Sequence, residues 1–300
     1  MEYVLFASLA LLASAGNTIF NRLGANHASA LANSTIKSFF IVVACFFICL
    51  AFGHVPTLYS LSLEQWGWIG LVGALTCIDW FFYFLAIKRS HLEAFAPFCA
   101  SGILFFSNLV FSIFTFGMVT NNGKPINVVL YFIGLAFLLG SLIYILLNKK
   151  INPSSKKIWV IYALASVISF AFVLLVAKTK LIDIPPDVIS FHQMTIVFAV
   201  MFIATMFTKT YKEIVKIKKL DFVYIVIGAI FNALMMVFRY KAFSYTNSVP
   251  AIVNVIIGLD FVLVSIATVI FFKAKNKPQI MIMIALVVVG MILDVLAGLI

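Results

Sequence analysis

An aspartate and a tyrosine lie one helical turn apart in a stretch that is otherwise apolar. These are Asp79 and Tyr83, with Trp80 directly after the carboxylate. Residues i and i+4 share one face of a helix, so both side chains can contact the same small molecule. Such a carboxylate can bind a substrate ammonium group or carry a coupling proton, with aromatic rings as cavity walls. The structural alternative for Asp79 is an ion pair with Lys37 or Arg239.

Six further polar side chains interrupt apolar segments, where a charge costs about 3 kcal/mol on insertion scales. They are Lys37, His192, Gln193, Arg239, Asp260 and Asp294. Because such residues usually face a bundle interior or a water-filled cavity, they indicate an ion or substrate path. Arg239 suits a substrate carboxylate or phosphate, although it lies near enough to a segment end to extend to the membrane surface. For Asp260, a binding role and a structural ion pair are equally compatible with the sequence.

Two of these residues are expected to lie outside the site. His192 points about 100° away from Gln193 on a helix. A histidine there can act as a proton carrier, but a packed or lipid-edge position is favoured. Asp294 lies near the end of the last apolar segment and is interpreted as an interfacial anchor. The predicted substrate-binding residues are Lys37, Asp79, Trp80, Tyr83, Gln193, Arg239, Asn254 and Asp260.

Small residues within the apolar segments are interpreted as packing residues. The four cysteines (Cys45, Cys49, Cys77 and Cys99) include no Cys-x-x-Cys pair, and no metal site is expected. Gly67, Gly70 and Gly73 are predicted to allow close approach of another helix.

Composition places this chain in a membrane. Of its 300 residues, 64% are hydrophobic and 10% are charged, against about 25% charged residues in soluble domains. The mean hydropathy of +1.16 is that of an integral, multi-pass protein, which we expect in an inner or plasma membrane. The net charge of +11 arises from Lys and Arg in short connections, so it indicates membrane topology rather than nucleic-acid binding.

The apolar runs are about 20 residues long, the length that a helix needs to cross the hydrocarbon core. Breakers such as Pro56, Pro185-Pro186 and Lys277-Pro278 separate them. Tight joints imply antiparallel neighbours, so we predict an all-α membrane protein of ten transmembrane helices. The predicted spans are 3–22, 31–52, 66–87, 94–117, 127–147, 158–177, 187–208, 221–243, 249–272 and 279–298.

The two halves of the chain come into weak register at an offset of 156 residues. This offset aligns Gly134 with Gly290 and Lys37 with Gln193, and it holds from the first span of each half to the fifth. An odd number of spans in each half makes the halves run oppositely through the membrane. The sequence therefore predicts two inverted five-helix repeats, 1–150 and 151–300, with a substrate site near the midplane between them.

Membrane orientation is predicted from the distribution of basic residues. Lys and Arg are concentrated in the connections that follow spans 1, 3, 5, 7 and 9. The positive-inside rule assigns these connections to the cytoplasm and both termini to the outside.

This architecture resembles the drug/metabolite transporter superfamily, EamA type. The local likeness is best at Tyr83–Lys88 and at Tyr240–Phe243, which are similar to the family's Tyr-x-Ala-Leu-Lys-like segment after helices 3 and 8. Lys37 resembles a basic residue of the family's helix 2, and Gln193 resembles a glutamine of its helix 7. The resemblance covers the whole chain and implies a transporter with cytoplasmic termini, against the orientation that the basic residues predict.

The chain departs from the family pattern in two ways. A proline midway along helices 4 and 9 is replaced at about Ile103 and Leu259. The glutamate that closes those helices is absent, and Gly117 and Phe272 occupy its neighbourhood.

From these observations we expect a secondary transporter that moves a small polar organic metabolite by alternating access. An amino acid or similar zwitterion is the best single candidate, because acidic and basic side chains coexist in the expected cavity. Proton coupling through Asp79 or Asp260 stays open, as does the choice between monomer and homodimer. No enzymatic activity, cofactor, metal or nucleic-acid partner is expected, and the partners are the solute and the lipid bilayer.

Two other functions stay open. The same architecture can export cationic or aromatic compounds, with Asp79 as the cation partner and Trp80 and Tyr83 as stacking walls. A lipid-handling or scaffold protein without transport activity is the third reading, in which the buried charges pair only with one another.

Overall fold

The computed structural model describes residues 2–24, 29–90, 92–114, 127–148, 158–245, 250–271 and 277–299. Within these ranges all regular structure is helical. A 3₁₀ turn (Val55–Tyr59) precedes α3, and the α-helices are α1 (Glu2–Gly24), α2 (Ala30–Ala51), α3 (Leu63–Arg89), α4 (Leu92–Phe114), α5 (Val128–Leu147), α6 (Ile158–Lys180), α7 (Pro186–Phe207), α8 (Tyr211–Ile214), α9 (Lys219–Ser244), α10 (Pro250–Gly258), α11 (Asp260–Phe271) and α12 (Lys277–Leu299).

Eight of the described helices are long and apolar enough to cross a membrane. Two shorter apolar stretches, Ala94–Val110 and Ile252–Ala267, lie in α4 and across α10 and α11. Each predicted span overlaps one of these elements, and the ninth is divided into two helices. The chain is therefore a multi-pass membrane protein whose described spans are helical, as its composition predicts.

The interior of the bundle is formed by a few extensive helix pairs. α1 packs along α9, α3 along α6, α2 along α7 and α5 along α12. Large apolar side chains such as Phe47, Phe132 and Phe207 are exposed on the outside of the bundle. Since lipid tails solvate such groups, helix association depends on interior packing and polar contacts rather than on removing apolar surface from water.

Serine caps mark the start of the helices that carry Lys37 and Asp79. The Ser62 hydroxyl accepts a hydrogen bond from the Gln65 amide, and the Gln65 side chain accepts one from the Ser62 amide, which forms a capping box at α3. Ser29 caps α2 in the same manner by accepting from the Ala32 amide.

The ninth predicted span breaks between α10 and α11 although it contains no proline at that point. The Leu259 amide donates to the Val255 and Ile256 carbonyls at 3.1 and 3.3 Å, so the hydrogen-bond ladder tightens there. Asp260 then occupies the first turn of α11, where the helix dipole and free N–H groups favour a carboxylate. The break thus occurs where the family proline is missing, and it exposes a helix end to the bundle interior.

Asp294 is not an interfacial anchor, contrary to the prediction. Its side chain is 2% exposed, and its carboxylate accepts a hydrogen bond of 2.7 Å from Asn108. The Tyr131 hydroxyl donates to the Asn108 carbonyl at 2.7 Å. Gly134 and Gly290 leave the space for this cluster, because a Cβ at Gly134 would lie 3.1 Å from the Gly290 carbonyl oxygen and against the carboxylate.

The prediction for the three glycines of α3 is correct only for Gly73. A Cβ at that position would lie 2.8 Å from the side chain of Ile196 on α7. Gly67 and Gly70 have no heavy atom of another element within 4 Å of such a Cβ, so of the three glycines only Gly73 allows the close approach of another helix.

Replacing Gly134 by Ala should destabilise the protein by about 1–3 kcal/mol, because backbone and a buried carboxylate leave no room for the methyl group. Gly140→Ala is the matched control on the same helix, where a Cβ meets nothing within 4 Å. Thermal unfolding of the detergent-solubilised protein measures both. Equal midpoints for the two variants would contradict the close packing of α5 and α12.

Candidate functional site

A cavity of about 130 Å³ lies between the helices in the interior of the bundle. All eight predicted substrate-binding residues line it. The sequence analysis did not assign a site role to several further polar residues in its wall, which are Ser14, Asn17, Thr18, Asn21, Thr76, Ser166 and Asn232. The structure thus brings together side chains from both halves of the chain.

Lys37 is enclosed by partners within the protein. Its ammonium group donates to the side-chain oxygens of Asn17 and Asn21, each at 2.5 Å. The same nitrogen lies 5.2 Å from the centroid of the Trp80 ring and 5.6 Å from that of Phe84. With 1% of the residue exposed, two amide acceptors and two aromatic faces replace the water that an ammonium normally binds.

The two carboxylates of the cavity each accept a hydrogen bond from a serine. Ser166 of α6 donates to Asp79 at 2.5 Å, and Ser14 of α1 donates to Asp260. Both bonds link different elements, so each carboxylate is oriented by a helix other than its own. No Lys or Arg nitrogen among the described residues lies within 4.0 Å of either carboxylate, so the direct ion pair considered for Asp79 is not formed in this conformation.

Arg239 is the second buried base and is held differently from Lys37. Its guanidinium lies 4.9 Å from the centroid of the Phe170 ring, and 7% of the residue is exposed. Asp260 and Asp79 both interact with it electrostatically. Within the described ranges its N–H groups donate no hydrogen bond, and its buried Nε is without an acceptor.

Gln193 connects three helices through both ends of its amide. Its nitrogen donates to the Thr76 hydroxyl of α3, and its oxygen accepts from the Tyr240 hydroxyl of α9, both at 2.6 Å. The amide is therefore fully oriented and 2% exposed. Its position matches the prediction of a cavity residue, and its contacts show that it also joins α3, α7 and α9.

The remaining two predicted substrate-binding residues, Tyr83 and Asn254, make long hydrogen bonds to their neighbours. The Tyr83 hydroxyl accepts a long hydrogen bond of 3.4 Å from Asn21, and its ring meets Phe95 edge-on at 5.2 Å. Asn254 of α10 donates to the Ser107 hydroxyl of α4, also at 3.4 Å. Contacts of this length leave both polar groups available to a better-placed partner.

His192 lies outside the cavity, as predicted for a packed residue. One ring nitrogen lies 3.1 Å from the Leu58 carbonyl oxygen, and the ring meets Trp66 edge-on at 4.5 Å. Among the four cysteines, Cys99 lines the cavity and was not predicted to do so.

Acidic and basic residues are equally represented in the cavity wall. Lys37 and Arg239 are the basic residues, and Asp79 and Asp260 are the acidic ones. Aromatic and aliphatic side chains line the same space, so both kinds of group share a largely apolar wall. Such an arrangement can bind a polar molecule and shield it from lipid.

Asn17→Leu should destabilise the protein by about 1–3 kcal/mol, because it leaves the buried Lys37 ammonium with one amide acceptor instead of two. Adding Lys37→Met to that variant should recover part of the loss, since no buried charge is then stranded. Thermal unfolding of the single and double variants measures the coupling. Strictly additive losses would show that the Lys37 ammonium does not depend on Asn17.

Comparisons with known proteins bear on the fold and the family. No curated protein matches the chain. Twenty-eight chains of solved structures match it, among them one described as "Crystal structure of protein", which has a TM-score of 0.65 and 17% identity over 99% of this chain and 97% of its own. At that identity the likeness shows a shared fold only. Residues 157–296 match the model of the EamA-like transporter family. This match covers most of the second half of the chain and agrees with the resemblance to the EamA type of the drug/metabolite transporter superfamily seen in its sequence.

Proposed function

We propose that the protein is a secondary transporter of a small zwitterionic metabolite, with an amino acid as the best single candidate. The observation that carries this proposal is the cavity itself, which holds two bases and two carboxylates without a direct ion pair among the described residues. A solute that bears one charge of each sign can meet both kinds of group. It also leaves no net charge in the membrane interior, where an excess charge is costly.

The size of the cavity supports a small solute. A volume of about 130 Å³ is close to that of an engineered cavity of roughly 150 Å³ that accommodates benzene. A molecule on the order of six non-hydrogen atoms therefore fits this conformation without rearrangement of the wall.

Export of cationic or aromatic compounds is the second candidate function. Asp79 can pair with a cation, and Trp80 and Tyr83 lie beside it in the wall. However, the rings of Trp80 and Phe84 already lie close to the Lys37 ammonium. Since those faces are occupied by an internal cation, the zwitterion proposal is better supported.

The inverted repeat is part of the proposal, and cavity residues support it. The offset of 156 residues relates many of them in pairs, so that Tyr83 corresponds to Arg239 and Lys37 to Gln193. Further pairs that both line the cavity are Ser14 and Phe170, Thr18 and Leu174, Thr76 and Asn232, Asp79 and Met235, Trp80 and Met236, and Phe84 and Tyr240.

Helix packing supports the same relation. The packing of α1 along α9 corresponds to that of α6 along α3, and the contact of α2 with α9 corresponds to that of α7 with α3. A site at the axis that relates two inverted halves is the arrangement in which rocking of the halves exposes it to one side at a time.

Two further contacts are related by the offset, and each joins two helices within one half of the chain. Arg22 of α1 donates to the Ile87 carbonyl at 2.5 Å, and Lys178 of α6 donates to the Phe243 carbonyl at 3.0 Å. Donor and acceptor both shift by 156 residues, and in each case a basic residue binds the last carbonyls of a helix. We call these contacts the Arg22 latch and the Lys178 latch. In an inverted repeat they lie at opposite membrane faces, so each can hold one entrance closed.

Transport in proteoliposomes tests the proposal and separates the two candidates. Counterflow of radiolabelled amino acids should be lost in both Asp79→Asn and Arg239→Gln, because a zwitterion needs a partner of each sign. An exporter of cations should lose activity in Asp79→Asn alone. Absence of transport for every member of a broad metabolite panel would refute both.

Alkylation of Cys99 tests the latches in a chain whose Cys45, Cys49 and Cys77 are replaced by Ala. Arg22→Gln should raise the rate of labelling by an impermeant maleimide from one membrane face, and Lys178→Gln from the opposite face. Loss of about 1–2 kcal/mol of latch energy corresponds to a roughly 5- to 30-fold shift between conformations.

Lys180→Gln, which removes a charge from the same end of α6, is the control for Lys178→Gln and should leave the labelling rate unchanged. If both latch variants increase labelling from the same face, the assignment of the latches to opposite entrances is wrong.

A further inference from the structure

The two buried bases of the cavity differ in how their donors are used. An ammonium has three N–H donors, and Lys37 directs two of them to Asn17 and Asn21 while aromatic rings cover it. A guanidinium has five N–H donors, and Arg239 makes no hydrogen bond to any residue that the structure describes. The protein therefore accepts from two of the three donors of Lys37, whereas no described residue accepts from any donor of Arg239.

The surroundings of Arg239 account for its position but not for its unused donors. The face of the guanidinium lies against Phe170, a contact that uses the charge and leaves the N–H groups free. The two nearby carboxylates each accept a serine hydroxyl, and neither comes within 4.0 Å of a basic nitrogen in the described part of the chain. Burial of unpaired donors is costly, so binding of a hydrogen-bond acceptor from outside the protein is favourable at Arg239.

The geometry points to Arg239 as the group that recognises a carboxylate of the transported solute. We infer at the same time that Lys37 orders the cavity wall and does not contact the solute. This inference rests on the proposed transport function and narrows it, because it excludes solutes that are only cations. The planar fork of a guanidinium matches a carboxylate through two parallel hydrogen bonds, which an ammonium cannot provide. The ammonium group of the same solute then pairs with Asp79 or Asp260.

Binding of matched compounds to the purified protein tests this assignment without any variant. The probes are the natural amino acids, their amides and the corresponding amines that lack the carboxyl group, with binding measured by calorimetry. The best-binding acid should bind at least about 10-fold more tightly than its amide or amine. A hydrogen-bonded charge pair of this kind corresponds to a roughly 10- to 100-fold effect on affinity.

Variants then identify the residue that is responsible for the preference for the acid over its amide. Arg239→Gln should weaken binding of the acid by about 10- to 100-fold, leave the amide within about 3-fold, and so remove the preference. Arg239→Lys should be intermediate, because it keeps the charge and loses the fork. Lys37→Gln should keep the ratio between acid and amide, and Lys241→Gln, two residues from Arg239 on α9, serves as the control for loss of a positive charge.

Three results would overturn the inference. Equal affinity of the wild-type protein for acid and amide shows that no carboxylate is recognised, and a preference that survives Arg239→Gln shows that another group recognises it. Inorganic phosphate binding more tightly than any acid reassigns the guanidinium to phosphate. If counterflow of amino acids occurs despite such a result, the transport proposal stands, whereas absence of both binding and transport removes both.

Discussion

The structure depends on one constraint, which is that a charge inside a membrane protein must find its partners away from the lipid, in the protein or in a polar cavity. Lipid tails offer none, and an unpaired buried charge costs several kcal/mol. The bundle meets this constraint by turning its polar side chains toward a shared interior and leaving large apolar groups on its outside. Lys37 shows the result in detail, since asparagines one turn apart on α1 accept from its ammonium group and rings of α3 lie beside it. Several such residues avoid the lipid by facing the same interior space, and together they form the wall of the cavity.

This constraint explains why the sequence alone identifies much of the site. A charged residue in an apolar run has few acceptable positions, so the location of the four charged candidates around one cavity could be predicted without coordinates. Neutral polar residues carry a smaller penalty and do not stand out. Ser14 and Ser166 bind the carboxylates, yet serines are common in membrane helices and mark no site by themselves. Asn17 and Asn21 did offer a signal, because their spacing puts both on one helix face.

Other features escape sequence reasoning because they depend on the shape of a neighbouring helix. Asp294 lies near the end of α12, which suggests an interfacial position, but glycines of α5 and α12 open a space that buries it. Gly67 and Gly73 are the same residue type on the same helix, but only Gly73 lies against a side chain of α7. For Asp294 and Gly73 the deciding atom belongs to a distant part of the chain. The break before Asp260 occurs without proline, so no residue that forbids a helix marks its position in the sequence.

The proposed repeat relates backbone positions in the two halves, but the side chains at related positions differ in charge. Each of the four cavity charges corresponds to an uncharged residue in the other half, namely Lys37 to Gln193, Asp79 to Met235, Arg239 to Tyr83 and Asp260 to Leu104. If both members of a pair carried the charge, like charges would share one small apolar space, which raises the energy of both. A cavity near a pseudo-twofold axis can therefore hold a charge on one member of each pair and a neutral partner on the other. Under the proposed function, this asymmetry allows a solute with one charge of each sign to bind in a single orientation, while the surrounding helices keep the symmetry that alternation between two faces requires.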